Sequence, residues 1–198
     1  MPRQPLDRYR VQASHHPQYE CPGRTGATSL KFRFEKLTYT PEHVQLLYGW
    51  LNAPHVAERW DGALTLAEVQ ESYFKDEGEK CERFLVYLDG EPLAYIQSYI
   101  ACLCSDGWWE DITDQGTVGI DFFIGEAGKL NQGLGTAMLQ AFARRLFSNA
   151  SVNRIISDPS PENPRSIATL EKAGFTRVGN IVTPDGAAVL LEMKRSET

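Results

Sequence analysis

Three short segments hold the residue types from which chemistry can be built. Ser105-Asp106-Gly107-Trp108-Trp109-Glu110-Asp111 sets carboxylates beside two indoles. Gly119-Ile120-Asp121 places a further carboxylate in an apolar run, and Gln132-Gly133-Leu134-Gly135-Thr136 is a glycine turn that opens a helix. An acidic, aromatic surface suits a polyamine. A glycine turn lets the backbone approach a ligand closely, and the helix behind it offers unpaired N–H groups and a partial positive charge, which fit a pyrophosphate. Together they describe an enzyme that brings a cationic amine to a phosphate-bearing donor. Each segment also has a plainer alternative: a solvated loop, an aspartate paired with a neighbouring Arg or Lys, and a strand–helix connection. No Lys follows Gly135, so the turn is not a P-loop, and Met138 stands where a dinucleotide fingerprint needs its third glycine.

A protonated amine has no lone pair with which to attack, and primary alkylamines resemble Lys with a pKa of ~10.4. A catalyst must therefore hold the cation and then take a proton. Asp121 is the candidate base, acting directly or through one water. Trp108 and Trp109 are adjacent, so an extended segment points them opposite ways, one inward and one beside a ligand; both in the core is the alternative. Asp106, Glu110, Asp111 and Asp114 form an acidic cluster able to attract a polycation. Gln97 and Tyr99 share one strand face and can hydrogen-bond hydroxyls, and Trp60 either walls a pocket or closes the core.

These residues need elements to hold them. Lys31 to Leu37 alternates as a strand, and Pro41 opens a helix to about Asn52 with Val44, Leu47, Tyr48 and Leu51 on one face. Pro54 to Trp60 reads as a short helix, and the capping box Thr65-Leu66-Ala67-Glu68 starts another that runs to about Lys75. Phe84–Leu88 and Pro92–Ala101 form a hairpin around Asp89-Gly90, followed by a strand over 117–124 and a helix over 136–147. A strand at 154–157, a helix from Asn163-Pro164 to Gly174, and a hairpin around Pro184-Asp185-Gly186 complete the chain. The order is β-α-α-β-β-β-α-β-α-β-β, an α+β (mixed α/β) fold with a helix-covered sheet.

At 198 residues the chain reads as a single domain over 29–198, preceded by a polar, proline-bearing extension over 1–28 of low intrinsic order. No apolar run has membrane length and no signal-peptide pattern opens the chain, so a cytoplasmic protein is expected. The net charge of −6 argues against nucleic acid and is compatible with a cationic ligand. Cys21, Cys81, Cys102 and Cys104 lack a second pair at ligand spacing, so no metal is expected and the cysteines read as reduced structural thiols. Cys102 and Cys104 would share a face if they lay on a strand.

The combination of strand, glycine turn, helix, strand and then Asn163 to Phe175 resembles the acyl-CoA N-acetyltransferases of the GCN5-related superfamily. More narrowly, the chain is similar to aminoglycoside 6′-N-acetyltransferases of the type Ib and II subgroup over roughly residues 35–193. Tyr48-Gly49-Trp50-Leu51-Asn52, Ile96-Gln97-Ser98-Tyr99, Asp106-Gly107-Trp108-Trp109-Glu110, Gly119-Ile120-Asp121, Asp158-Pro159-Ser160-Pro161 and Thr183-Pro184-Asp185-Gly186 bear that similarity. Glu171-Lys172-Ala173-Gly174-Phe175 is shared across the superfamily.

The resemblance implies that superfamily's fold, with a central, mostly antiparallel sheet flanked by helices. It implies transfer of acetyl from acetyl-CoA to the 6′-amine of an aminoglycoside, in a ternary complex and without a metal. It assigns Asp121 as base and Asp106, Trp108, Trp109 and Asp185 to the sugar site, where the reading of the residues themselves adds Gln97, Tyr99 and Trp60. It assigns Phe123, Gln132, Gly133, Leu134, Gly135, Thr136, Asn163 and Lys172 to the coenzyme. The protein is then a monomer or homodimer, with neither nucleic acid nor membrane as partner. There are two departures: Leu170 replaces the tyrosine thought to protonate the departing thiolate, and Leu130 replaces a Gln or Arg before the turn. Another amine or a siderophore hydroxylamine as acceptor, and a non-catalytic binding module, are the competing readings.

Overall fold

Local sequence sets most element boundaries. In the computed structural model, which describes residues 19–21, 30–60, 62–75, 81–104 and 107–196, the helices are α1 (Pro41–Leu51), α2 (Pro54–Ala57), α3 (Leu66–Phe74), α4 (Leu134–Phe147) and α5 (Pro164–Ala173). The strands are β1 (Tyr19–Cys21), β2 (Leu30–Lys36), β3 (Cys81–Leu88), β4 (Glu91–Ile100), β5 (Thr117–Ile124), β6 (Arg154–Ser157), β7 (Thr176–Thr183) and β8 (Gly186–Lys194). Thr40 caps α1 by accepting from the His43 N–H, with Pro41 in the first turn. Thr65 and Glu68 close the expected capping box on α3. Asn163 accepts from the Ser166 N–H at the start of α5, and Gly174 ends that helix at φ 110°. Asp89 and Gly90 both take positive φ, as the tight β3–β4 turn requires.

The strands form one sheet in the order β1-β2-β3-β4-β5-β6-β8-β7. Neighbours are antiparallel except β5 and β6, whose ends are joined through the crossover helix α4. Side chains alternate between two apolar layers. Phe84, Val86 and Ile96 pack with Met138, Phe142 and Leu170 of α4 and α5. Leu85, Tyr95 and Phe123 pack with Leu47, Trp50 and Val69 of α1 and α3. Among the described residues no helix is long and apolar enough to cross a membrane.

One irregularity in the sheet positions the site. β5 pairs with β4 along Val118–Ile124, but with β6 only at Thr117–Gly119. Past Gly119 the edge of β5 that faces β6 has no strand partner among the described residues.

Several elements differ from the sequence reading. Tyr19–Cys21, inside the segment expected to lack order, pairs with Leu30–Phe32; an uncovered β2 edge would leave its N–H and C=O groups bare. The rest of 1–28 lies outside the described residues, apart from that strand. The helix at Pro54 ends at Ala57 rather than Trp60 and adds a third helix between β2 and β3. Cys102 lies in a 3-10 turn (Ala101–Leu103) rather than on a strand, so it shares no strand face with Cys104. Trp109 sits at φ 55°, a turn conformation rather than an extended one. The two indoles therefore lie close, with ring centroids 6.2 Å apart, instead of facing opposite ways.

Candidate active site

The site begins as a row of polar side chains across the sheet. Arg83 on β3 faces Gln97 on β4, and Gln97 faces Asp121 on β5. The fully buried Tyr95 hydroxyl donates to Gln97 Oε1 at 2.7 Å. Gln97 Nε2 then donates to Asp121 Oδ2 at 2.9 Å. Burial pushes the Tyr95 phenol well above its ordinary pKa, so it stays a donor. The chain of donors leaves Asp121 Oδ2 accepting from an amide whose own orientation is set from behind.

Asp121 opens onto a cavity of about 980 Å³. Gln97, Tyr99, Trp60, Trp108, Trp109 and Asp185 line it with Asp121, so most of the expected acceptor-site residues meet in one place. Asp106 lies outside the described residues. Trp60 donates to the Tyr73 hydroxyl at 2.6 Å and packs edge-on against Phe123 and Tyr95. It therefore both walls the cavity and closes the core. Trp108 and Trp109 are half-buried on the wall, which removes the reading that places both in the core. The loop carrying them meets the β7–β8 hairpin, for a Cβ on Gly107 would stand 3.3 Å from Pro184 Cγ.

The acidic cluster read from the sequence does not hold together. Asp114 turns back on its own loop, accepting from the Gly116 N–H at 3.0 Å and from the Thr117 hydroxyl. Glu110 and Asp111 are exposed and absent from the cavity wall. The cavity draws its described carboxylates instead from Asp121, Asp185 and Asp158.

Asp158 is the main residue missed. The β5–β6 register pairs Gly119 with Ile156, and two residues further along each strand stand Asp121 and Asp158, where β6 ends. Burial, then repulsion by Asp121 and Asp185, pushes the Asp158 carboxyl up to about 7, against partial relief from its own backbone N–H. The sequence signal was present: a polar residue just past a short buried strand that runs parallel to the strand bearing Asp121. Tyr99 is held neutral by burial first, and then by the charges of Asp121 and Asp158; the Trp109 indole acts the other way.

The residues expected to bind a coenzyme lie elsewhere. Gly133 takes φ 76° and caps α4 without any side-chain hydrogen bond, so the first N–H groups of that helix carry no side-chain cap. A Cβ on Gly135 would stand 3.1 Å from Thr169 Cγ2, so the turn nestles against α5. Gln132 folds back to donate to the Gly128 carbonyl at 2.7 Å. Asn163 Oδ1 is spent on its helix cap, and Lys172 is exposed on α5.

Phe123 departs from expectation. Its ring is buried in the aromatic cluster with Trp50, Trp60 and Tyr95. The Gly125 N–H donates to the Leu93 carbonyl at 2.9 Å, so strand alternation turns the Phe123 main chain toward β4 as well. Phe122 and Ile124 face the open edge instead. The Ile124 carbonyl there accepts from His55 Nε2 at 3.0 Å. Leu170, at the position expected to bear a tyrosine, lies on the buried face of α5, fully enclosed in the core shared with α4.

Among the described residues no group of three or more His, Cys, Asp or Glu is disposed to hold a metal ion.

A model of the acetyltransferase (GNAT) domain matches residues 40–183. The chain is 44% identical over 161 residues to the aminoglycoside N(6′)-acetyltransferase type 1 of Klebsiella pneumoniae, covering 79% of this chain and 80% of that one. The protein of the same name from Serratia marcescens matches equally. Among solved structures, AAC(6′)-Ib in complex with paromomycin and acetyl-CoA superposes with a TM-score of 0.78 at 42% identity, covering 85% of this chain and 94% of that one. AAC(6′)-Ib with coenzyme A and kanamycin gives 0.77 at 42% identity, over 84% and 95% of the two chains. The parted strands, the uncapped glycine turn and the carboxylate-lined cavity thus sit in the frame of known acetyltransferases, and the chain belongs to the GNAT family, among the aminoglycoside N(6′)-acetyltransferases.

Proposed function

We propose that this protein transfers the acetyl group of acetyl-CoA to the 6′-amine of an aminoglycoside and thereby confers resistance to it. The observation that carries this reading is Asp121, oriented by Gln97 on the wall of a cavity that also holds Asp158 and Asp185. The names of the relatives and the ligands of the AAC(6′)-Ib structures support the same acceptor and donor.

The residues present fit the donor. The N–H groups at the start of α4, behind the left-handed Gly133, would take its pyrophosphate. The open edge of β5 at Phe122 and Ile124 would pair with its amide-bearing arm as an added strand would. Bound there, acetyl-CoA supplies an activated acyl group. The carboxylates hold the acceptor as a cation. Asp121 takes a proton from the ammonium, directly or through one water, so that the nitrogen lone pair can attack the thioester carbonyl. The C–N bond forms, the C–S bond breaks and the thiolate leaves, while the second proton of the attacking nitrogen passes to the thiolate or to water. A thiol pKa of ~8.5 makes it a fair leaving group without a dedicated acid. That accommodates Leu170, whose buried aliphatic side chain can donate nothing.

Purified protein, acetyl-CoA and a thiol-detecting reagent test the reading with kanamycin and gentamicin as acceptors. Thiol release with either drug, and NMR of the product placing the acetyl group on the 6′-nitrogen, is expected. Release with neither drug would overturn it. Release with a hydroxylamine acceptor alone would move the enzyme to another substrate class, and coenzyme binding without turnover would favour a binding module.

A further inference from the structure

Two thiols on the cavity wall take no part in the chemistry described so far. Cys81 opens β3 opposite Tyr99, and Tyr99 lies opposite Gly119. Cys81 therefore stands one row along from Arg83, Gln97 and Asp121, on the same sheet face, a step of ~7 Å along the strand. Cys104 follows the Ala101–Leu103 turn, with its Sγ 3.9 Å from the Ile100 carbonyl oxygen. It is near enough to Tyr99 to act on that phenol electrostatically. Both sulfurs belong to thiols rather than disulfides, both are half-buried, and both residues line the cavity. Cys102 is a half-buried thiol too, but it lies off the cavity wall.

The charges around the two thiols are of mixed sign. Asp121, Asp158 and Asp185 line the same cavity, as do Arg83 and Arg59. The Arg59 guanidinium meets Glu58 at 2.9 Å and donates to the Glu162 carbonyl, so its charge is offset locally. Among the described residues the remaining balance is negative, and a cleft lined by one sign of charge concentrates ions of the other.

We infer that Cys81 and Cys104 form a covalent-modification site within the acceptor cavity, selective for small cationic electrophiles of the disulfide and thiosulfonate class, and that an adduct there blocks the acceptor. The reaction is thiol exchange. The thiolate attacks the sulfenyl sulfur of the reagent, a protein–reagent S–S bond forms, and the reagent's own S–S bond breaks. Its sulfinate or thiolate half leaves, and the thiol proton passes to buffer. The adduct sets a tethered cation where the substrate amine would otherwise bind. The acceptor's identity rests on the function proposed above; the charge selectivity of the thiols does not.

The test uses the full-length protein at pH 8, above the value of about 7 to which the Asp158 carboxyl is pushed. Labelling rates at each cysteine are read by peptide mass spectrometry with 2-aminoethyl methanethiosulfonate and with its anionic 2-sulfonatoethyl counterpart. Acidic neighbours raise a thiol pKa and slow both reagents alike, so the ratio of rates isolates the field. Cys81 and Cys104 should label about tenfold faster with the cation, and Cys102 should show no such ratio. Saturating kanamycin should slow labelling at Cys81 and Cys104, and a reductant should reverse the adduct. Equal rates for the two reagents, or modification confined to Cys102 and Cys21, would overturn the inference. Charge selectivity without kanamycin protection would leave the thiol site standing and count against the proposed acceptor.

Discussion

The Tyr99 ring lies directly over Gly119, its cross-strand partner, so closely that a Cβ on that glycine would stand 2.2 Å from the ring carbon Cε2. The missing side chain makes room for an aromatic that then forms part of the cavity wall two residues from Asp121. Gly119→Ala should displace the ring, raise the KM for the acceptor and cost about 1–3 kcal/mol in urea unfolding. In a Tyr99→Ala background the same change should cost far less. Equal costs in both backgrounds would show that the ring is not what demands glycine.

Asp121→Asn keeps the shape and still meets Gln97, but removes the charge and the basicity. It should lower kcat/KM by about 100-fold or more while leaving the thermal midpoint and coenzyme affinity nearly unchanged. Retention of full activity would place the proton acceptor elsewhere, with Asp158 the first alternative.

Asp158 holds its proton in the folded chain up to about pH 7, against an ordinary value of 3.8. Between those limits the folded state binds more protons than the unfolded one, so this group lowers stability as pH rises, with the loss complete above pH 7. Asp158→Asn removes that loss. It should be more stable than the parent by about 1–3 kcal/mol at pH 8, with the difference gone by about pH 4. Urea titrations at the two pH values check this, and a parent that gains stability relative to the variant toward pH 8 would contradict it. A bound cation favours the ionised carboxylate, so kanamycin binding at pH 7 should release protons, read by calorimetry in buffers of different ionisation enthalpy.

Gly133→Ala places a side chain at φ 76°, where nothing lies within 4 Å of the new Cβ. Backbone strain is then the whole effect, about 1 kcal/mol. Because the strained residue sets the N–H groups of α4, the KM for acetyl-CoA should rise with kcat little altered. A fall in kcat at constant KM would detach the turn from coenzyme binding.

Leu170 is fully buried, and Leu170→Ala should cost about 2–5 kcal/mol in unfolding while leaving the pH profile of kcat/KM unshifted. A shifted profile would mean that the position takes part in proton transfer after all.

Much of this protein was legible in its residues alone. Caps and turns act over three or four neighbouring positions, so Thr65 with Glu68, Asn163 with Pro164, and Asp89 with Gly90 announced their elements directly. The alternation of 31–37 announced a strand, and the specific Asp-Gly-Trp-Trp-Glu block with Gly-Ile-Asp pointed, by resemblance, to an acetyltransferase and to Asp121. What stayed hidden depended on neighbours distant in sequence. Asp158 reaches Asp121 only because β6 lies parallel beside β5 and stops where the two strands part. Asp114 reads as one more acid of a cluster until its loop closes on Thr117. Phe123 and the expected coenzyme edge are separated by a single alternation, set by which strand Gly125 bonds to. Local propensity and pattern decided which elements form; strand register and the parting of β5 from β6 decided which charges share a cavity, because those pairings join residues that no short stretch of chain contains.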